Sequence, residues 1–256
     1  MGPSGFEKVP EVRISNMTHA IALPVFLALV TGAAGEPTTS DIVQRGLHDM
    51  SFTAYNVKGD QSELAKINKD FAESFRFSSV KIWAKEPFKL RLESRVKDTD
   101  VLYVLNGTTR IYSIPRIKMH QREDLSRGPG KRQTWLDFGL LTSSLLQDLF
   151  DAKFVRVDRA THDYVFDLSY GSDYRDTSRH RIWVDPERKY ITKREWFNQK
   201  GVQLATFFYE DPKEVDGIWV PTKVTVKNVD NVVAGVTEYG KIKVNSGLSE
   251  SLFDVD

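Results

Sequence analysis

Phe88, Leu90 and Leu92 alternate with Lys89, Arg91 and Glu93. A period of two puts apolar side chains on one face of a strand and charged ones on the other. Pro87 stands where that strand would begin, a position where its missing N–H costs no ladder bond. A second apolar run, 101–105, leads through Asn106-Gly107 into a third, 110–115. Asn-Gly near the junction of two apolar runs is a hairpin signal, because both residues tolerate positive φ. Farther along, Tyr164, Phe166, Leu168 and Tyr170 alternate with Val165, Asp167 and Ser169. Strands follow over 179–184, 190–197, 202–209, 218–227 and 235–244, with turns at Asp185-Pro186-Glu187-Arg188, Asn198-Gln199-Lys200-Gly201 and Asp216-Gly217. Within 218–227, Ile218, Val220, Thr222, Val224 and Val226 fall on one face. Short strands at this spacing predict an antiparallel sheet, sandwich or barrel.

Three stretches show helical spacing instead. Val43, Leu47 and Met50 follow the cap residues Thr38 to Asp41; Leu64, Ile67 and Phe71 share a stripe in 61–73, where a solvated linker is the competing reading; Leu141, Leu145, Leu146 and Leu149 do so in 140–150. The polar, basic segment 121–133, with Gly128-Pro129-Gly130 at its centre, reads as an exposed, mobile loop. Its Gly130-Lys131 is not a phosphate loop: that motif needs a glycine where Leu125 stands and Ser or Thr where Arg132 stands.

Composition narrows the function. With 256 residues and 40% hydrophobic content the chain can bury a real core, and 28% charged residues describe an ordinary surface. A net charge of +1 gives no argument for nucleic acid. The chain has no cysteine, which excludes thiol catalysis, disulfides and cysteine-held metals. His48-Asp49 and His162-Asp163 are adjacent pairs that do not face each other on a strand or a helix. His120 and His180, among basic residues, read as surface positions. No metal-ligand spacing and no nucleophile elbow is present, so neither an enzyme nor a cofactor is expected.

The N-terminus bears on compartment. After Met17-Thr18-His19 comes an apolar run over 20–30, then Thr31-Gly32-Ala33-Ala34-Gly35. This has the form of a secretory signal peptide cleaved after Ala34 or Gly35, and it is too short to span a bilayer. The competing reading is a short buried helix. The expected organisation is therefore a signal peptide with upstream residues at 1–35 and one domain at 36–256, soluble in the periplasm.

The motifs also carry a family resemblance. Trp83-Ala84-Lys85-Glu86-Pro87-Phe88, then Asn106-Gly107, then Tyr112-Ser113-Ile114-Pro115, resemble the early strands of the outer-membrane lipoprotein carrier (LolA-like) family. The second half is similar in the same order: Trp183-Val184-Asp185-Pro186-Glu187, Gln199-Lys200-Gly201, Asp216-Gly217-Ile218-Trp219-Val220-Pro221, Val244-Asn245 and Phe253. The resemblance implies an α+β fold, an unclosed antiparallel half β-barrel with helices covering its concave face. It also implies a periplasmic protein without catalytic residues that holds acyl chains of lipoprotein or lipid between sheet and lid. Membrane donor and acceptor proteins would be its partners, and a monomer is expected. The alternative within the same superfamily is an envelope lipid or lipoprotein sensor that regulates a protein partner. The expected lining is Phe88, Leu90, Leu92, Tyr103, Tyr164, Phe166, Leu168, Trp196, Phe208 and Val224; the same residues also fit a plain core. The carrier has an arginine just before the motif's proline, where this chain has Glu86 preceded by Lys85. These two are the gating candidates. Each buried methylene of a ligand is worth about 0.8 kcal/mol, so ten supply roughly 8 kcal/mol before ordering costs, a scale that suits a reversible carrier.

Overall fold

A computed structural model describes residues 35–96 and 98–255. The signal peptide expected within 1–35 lies, but for Gly35, outside the described residues. From Glu36 onward the chain forms one compact unit. Its elements in order are β1 (Asp49–Gly59), α1 (Gln61–Ile67), α2 (Lys69–Ser74), β2 (Ser79–Lys85), β3 (Lys89–Val96), β4 (Thr99–Asn106), β5 (Thr109–Ile114), β6 (Met119–Asp124), α3 (Ser143–Asp148), β7 (Phe150–Val157), β8 (Tyr164–Tyr170), β9 (Arg179–Val184), β10 (Ile191–Phe197), β11 (Gln203–Glu210), β12 (Lys213–Val215), β13 (Ile218–Val220), β14 (Lys223–Asn228) and β15 (Val233–Val244).

Thirteen strands make a single unclosed sheet in the order β6-β5-β4-β3-β2-β1-β15-β14-β11-β10-β9-β8-β7, every pair antiparallel; β12 and β13 form a separate ribbon. The first and last strands, β1 and β15, pair at the middle. Two meanders run outward from there, so β6 and β7, consecutive in sequence, stand at opposite edges. The connection over 125–149 must therefore cross the sheet. The face it crosses, here the inner face, carries the main core: Met50, Phe52 and Ala54 of β1, Ile82 and Ala84 of β2, Leu90 of β3, and Phe166, Leu168, Ile182 and Phe207 of the second meander.

The turns follow local chemistry. In the β4–β5 hairpin Asn106 pairs with Thr109, so the loop residues are Gly107 and Thr108, with Gly107 at φ 60°. The hairpin is as expected, but its turn sits one residue later, in the pattern that takes glycine at the first central position. Asp216 (φ 49°) and Gly217 (φ 79°) both adopt positive φ between β12 and β13, as a type I′ turn requires. Asp185 Oδ1 accepts from the backbone N–H groups of Glu187 and Arg188, each at 2.9 Å, which closes the β9–β10 turn.

Several expectations need correction. Residues 38–50 are not a helix: a 3-10 turn (Thr39–Asp41) leads into loop, and Met50 belongs to β1. The helix over 61–73 is two, because Asn68 is extended (φ −168°, ψ 140°) and its side chain accepts from the Phe71 N–H at 3.3 Å. The strand over 218–227 breaks at Pro221-Thr222 into β13 and β14. The loop over 121–133 is only partly a loop: its start completes β6, and Leu125, Pro129 and Arg132 are buried. Pro87 precedes the strand and Phe88, at φ 51°, belongs to the turn, so β3 starts at Lys89. His180 is not on the surface but 5% exposed, its ring edge-on to Phe150 at 5.9 Å.

Candidate functional site

The segment that crosses the inner face is built to lie flat on it. Thr134 and Asp137 form a capping box around a 3-10 turn (Trp135–Phe138), and Gly139 ends the turn at φ 79°. Capping fixes the turn so that Trp135, Leu136 and Phe138 all point into the core. Phe138 meets Phe52 edge-on with ring centroids 5.2 Å apart. A β-carbon on Gly139 would stand 2.6 Å from Tyr209 Cδ1 and 3.0 Å from Pro221 Cγ, so this approach needs glycine. Backbone bonds then tie the segment down: Gln44 N–H donates to the Leu141 carbonyl and Ile191 N–H to the Gly139 carbonyl, both at 2.8 Å. The segment that crosses the inner face is turn and loop over 134–142. Of the helices, α3 buries Leu145 and α2 sets Phe71 against Phe207 at 5.9 Å.

Side-chain polar links join the cover to the sheet. Arg194 Nη1 donates to Asp137 Oδ1 at 3.0 Å, and the Tyr209 hydroxyl donates to the Leu136 carbonyl at 3.0 Å. Ser144 Oγ, in the first turn of α3, donates to Glu86 Oε2. Arg194 is 5% exposed, with its guanidinium 4.2 Å from the Phe207 ring centroid. Burial raises the pKa of the Tyr209 and Tyr239 hydroxyls well above the ordinary tyrosine value, and that of Tyr103 to about 12. His180 is pushed the other way, well below the usual histidine value, first by burial and then by the charge of Arg194.

The inner face is closely packed beneath the crossing turn. A cleft of about 10 Å³ between Ala84, Phe88, Leu90, Trp135 and Phe138 has room for about one water. A larger hollow, about 530 Å³, lies between Ser40, Asp41, residues 43–46, Lys189 and residues 216–218. It is lined by none of the side chains expected to meet a ligand.

The ten expected lining residues divide as follows. Leu90, Leu92 and Tyr103 share the inner face of the first meander, with Leu92 directly opposite Tyr103, and Phe88 stands at the cleft. Tyr164, Phe166, Leu168 and Trp196 share the inner face of the second meander, and Val224 lies between the two groups. Phe208 does not join them: it pairs with Lys193 and Thr225 on the outer face, with Lys227 Nζ 5.4 Å from its ring centroid. The inner-face aromatic of β11 is its neighbour Phe207. The two gating candidates also separate. Glu86 touches the cover through Ser144, whereas Lys85 faces the C-terminal tail, donating to the Leu248 carbonyl at 2.6 Å and pairing with Glu250 at 2.8 Å. Hydrogen bonds from Lys85 and Lys89 pull the Glu250 carboxyl down to about 2.

Sequence reasoning passed over Trp135, Asp137, Phe138, Arg194 and Tyr209. A signal for the first three was present: Thr134, an acidic residue three later and Gly139 mark a capped turn. Among the described residues no three His, Asp or Glu side chains cluster as a metal site, and no helix is long and apolar enough to cross a membrane.

A family model described only as an uncharacterized protein matches residues 147–256. No curated protein matches the chain. Solved structures share its fold. A DUF1329 family protein from Desulfovibrio piger aligns at TM-score 0.55 and 14% identity, over 82% of this chain and 91% of that one. A protein described as an outer membrane lipoprotein-sorting domain, from Vibrio parahaemolyticus, aligns at 0.57 and 13%, over 84% and 92%. A LolA superfamily protein from Nitrosomonas europaea aligns at 0.57 and 13%, over 84% and 93%.

Proposed function

We propose that this chain, which has the LolA-like fold, is a periplasmic binder of acylated cargo of the lipoprotein-sorting type. A signal peptide with upstream residues occupies 1–35, and 36–256 is the binding domain. The acyl chain lies where the crossing segment now lies, against Leu90, Leu92 and Tyr103 on one side and Phe166, Leu168 and Trp196 on the other. The observation that carries this reading is the cover itself: an apolar inner face closed by a capped turn, which a few polar links hold at its centre.

The energies match. Uncovering Trp135, Leu136, Phe138 and Leu140 costs about 1.5–3 kcal/mol each, roughly 6–12 kcal/mol together. Ten methylenes of a ligand return roughly 8 kcal/mol. Exchange between cover and ligand is then reversible, as a carrier requires. The packed state is the closed form, and cargo enters by displacing the cover. Glu86, bonded to Ser144, is the gating residue.

Tryptophan fluorescence tests this, because Trp135 and Trp196 face the interior while Trp183 faces outward, with Lys193 Nζ over its ring at 4.0 Å. Acyl chains brominated at mid-chain are expected to quench the protein. The quench is expected to be mostly lost in Trp135→Phe/Trp196→Phe and kept in Trp183→Phe. Absence of quenching, or quenching that depends on Trp183 instead, would contradict the reading.

A further inference from the structure

Arg194 is out of place chemically. Strand register puts it in a row across the inner face with Phe154, Phe166, Ile182, Phe207 and Val226, and it is the only charged side chain of that row. Its pairing is incomplete. Asp137 reaches Nη1 with Oδ1 at 3.0 Å and spends Oδ2 on the N–H of Thr134 in its own turn, also at 3.0 Å. Arg194 Nε is buried with no hydrogen-bond partner among the described residues, and so is His180 Nδ1 on the neighbouring strand β9. The two partners are unequally buried, the Arg194 side chain 6% exposed and that of Asp137 33%.

A buried ion pair is weak evidence for a stabilising role, because well-packed apolar side chains in place of both partners are often as stable. Here the counter-charge comes from the segment that must move for the inner face to open. When that segment leaves, the Tyr209–Leu136 bond breaks with it, and Arg194 presents a planar fork of donors on a largely apolar surface that also carries the Tyr209 hydroxyl and His180. That fork fits a carboxylate or phosphate, which it can hold through two nitrogens at once.

We propose that Arg194 is the docking point for the anionic head of an acyl ligand, and that Asp137 occupies this point when no ligand is bound. The inference rests on the acyl-binding reading above and adds a head-group class to it. The carboxylate of the cover is an internal substitute for the ligand's anion, so binding the head and releasing the cover are one exchange.

Three probes with the same oleoyl chain test it: oleate, oleoyl lysophosphatidylglycerol and neutral monooleoylglycerol. The wild-type chain is expected to bind at least one of the two anions roughly tenfold more tightly than the neutral probe, the scale of one charge-assisted hydrogen bond. The tighter anion identifies the head as carboxylate or phosphate. Arg194→Met is expected to abolish the preference, bringing the affinities for the anions and the neutral probe together, while the loss of its link to Asp137 loosens the cover for all three probes alike. Asp137→Asn keeps an acceptor for Nη1 but removes the competing charge, and is expected to tighten anion binding several-fold. Equal affinity for all three probes, or a preference that survives Arg194→Met, overturns the head-group inference and leaves acyl binding standing. Failure to bind any probe overturns both. Should Arg194→Met not fold, unchanged anion affinity in Asp137→Asn overturns the inference by itself.

Discussion

His180 shows how a single residue hides in a sequence and shows itself in a structure. Flanked by Arg179 and Arg181 it reads as exposed, yet on a strand its two neighbours point to the opposite face. Arg181 there forms a two-nitrogen pair with Asp167 at 2.7 and 2.8 Å, while His180 turns inward beside Phe150 and Tyr170. The burial has a pH consequence. The folded-state pKa lies well below the ordinary 6.5, so below pH 6.5 the unfolded chain takes up a proton that the native state refuses. Stability is then unaffected above 6.5 and falls as the pH drops below it, by up to about 1.4 kcal/mol per pH unit. Urea unfolding at pH 7.5 and 5.5 is expected to show this loss in the wild type and a smaller one in His180→Phe. Equal losses in the two proteins would contradict the assignment. Phe208 is the opposite case. The run Phe207-Phe208-Tyr209 puts aromatics on both faces of β11, so the sequence alone leaves open which of the first two turns inward.

At the scale of elements, alternation was the signal that carried most. The strands around Leu90 and Leu92, Tyr164 to Leu168, and the hairpin after Asn106 were legible because one face is wet and the other dry. β1 was missed because Val43, Leu47 and Met50 happen to fall at helical spacing, while its true pattern, Met50, Phe52 and Ala54, is interrupted only by small or polar residues. β6 was missed because it is an edge strand whose residues after Met119, His120 to Asp124, are all polar. The crossing segment was half legible: its apolar residues were visible, but its purpose follows only from β6 and β7 standing at opposite edges, a fact of topology that local spacing does not hold. Gly139 is its most exacting position. Gly139→Ala would force a side chain into positive φ and drive its β-carbon against the Tyr209 ring. We expect a loss of about 1–3 kcal/mol, the cost of one strained backbone position, together with faster amide exchange confined to 134–141. Wild-type stability and exchange in this variant would contradict the tight approach described for the turn.

The molecule as a whole is two antiparallel meanders joined at β1 and β15, with one connection laid across their common inner face. The C-terminal tail binds the outer face of the first meander: Arg91 donates to the Leu252 carbonyl at 3.0 Å and Asn106 to the Phe253 carbonyl at 3.2 Å, and Phe253 is fully buried. That side of the sheet is thereby fixed, and in the proposed function the segment that moves is the crossing one. The central claim is that this core exchanges its cover for an acyl chain. Mass spectrometry of the processed protein purified gently from a periplasmic extract, under conditions that keep non-covalent ligands, tests it most directly. We expect a bound acyl species at close to one per chain, displaced by added oleoyl lipid. A protein that carries nothing, and gains no mass after incubation with phospholipid and lipopeptide, would make the inner face a core and nothing more.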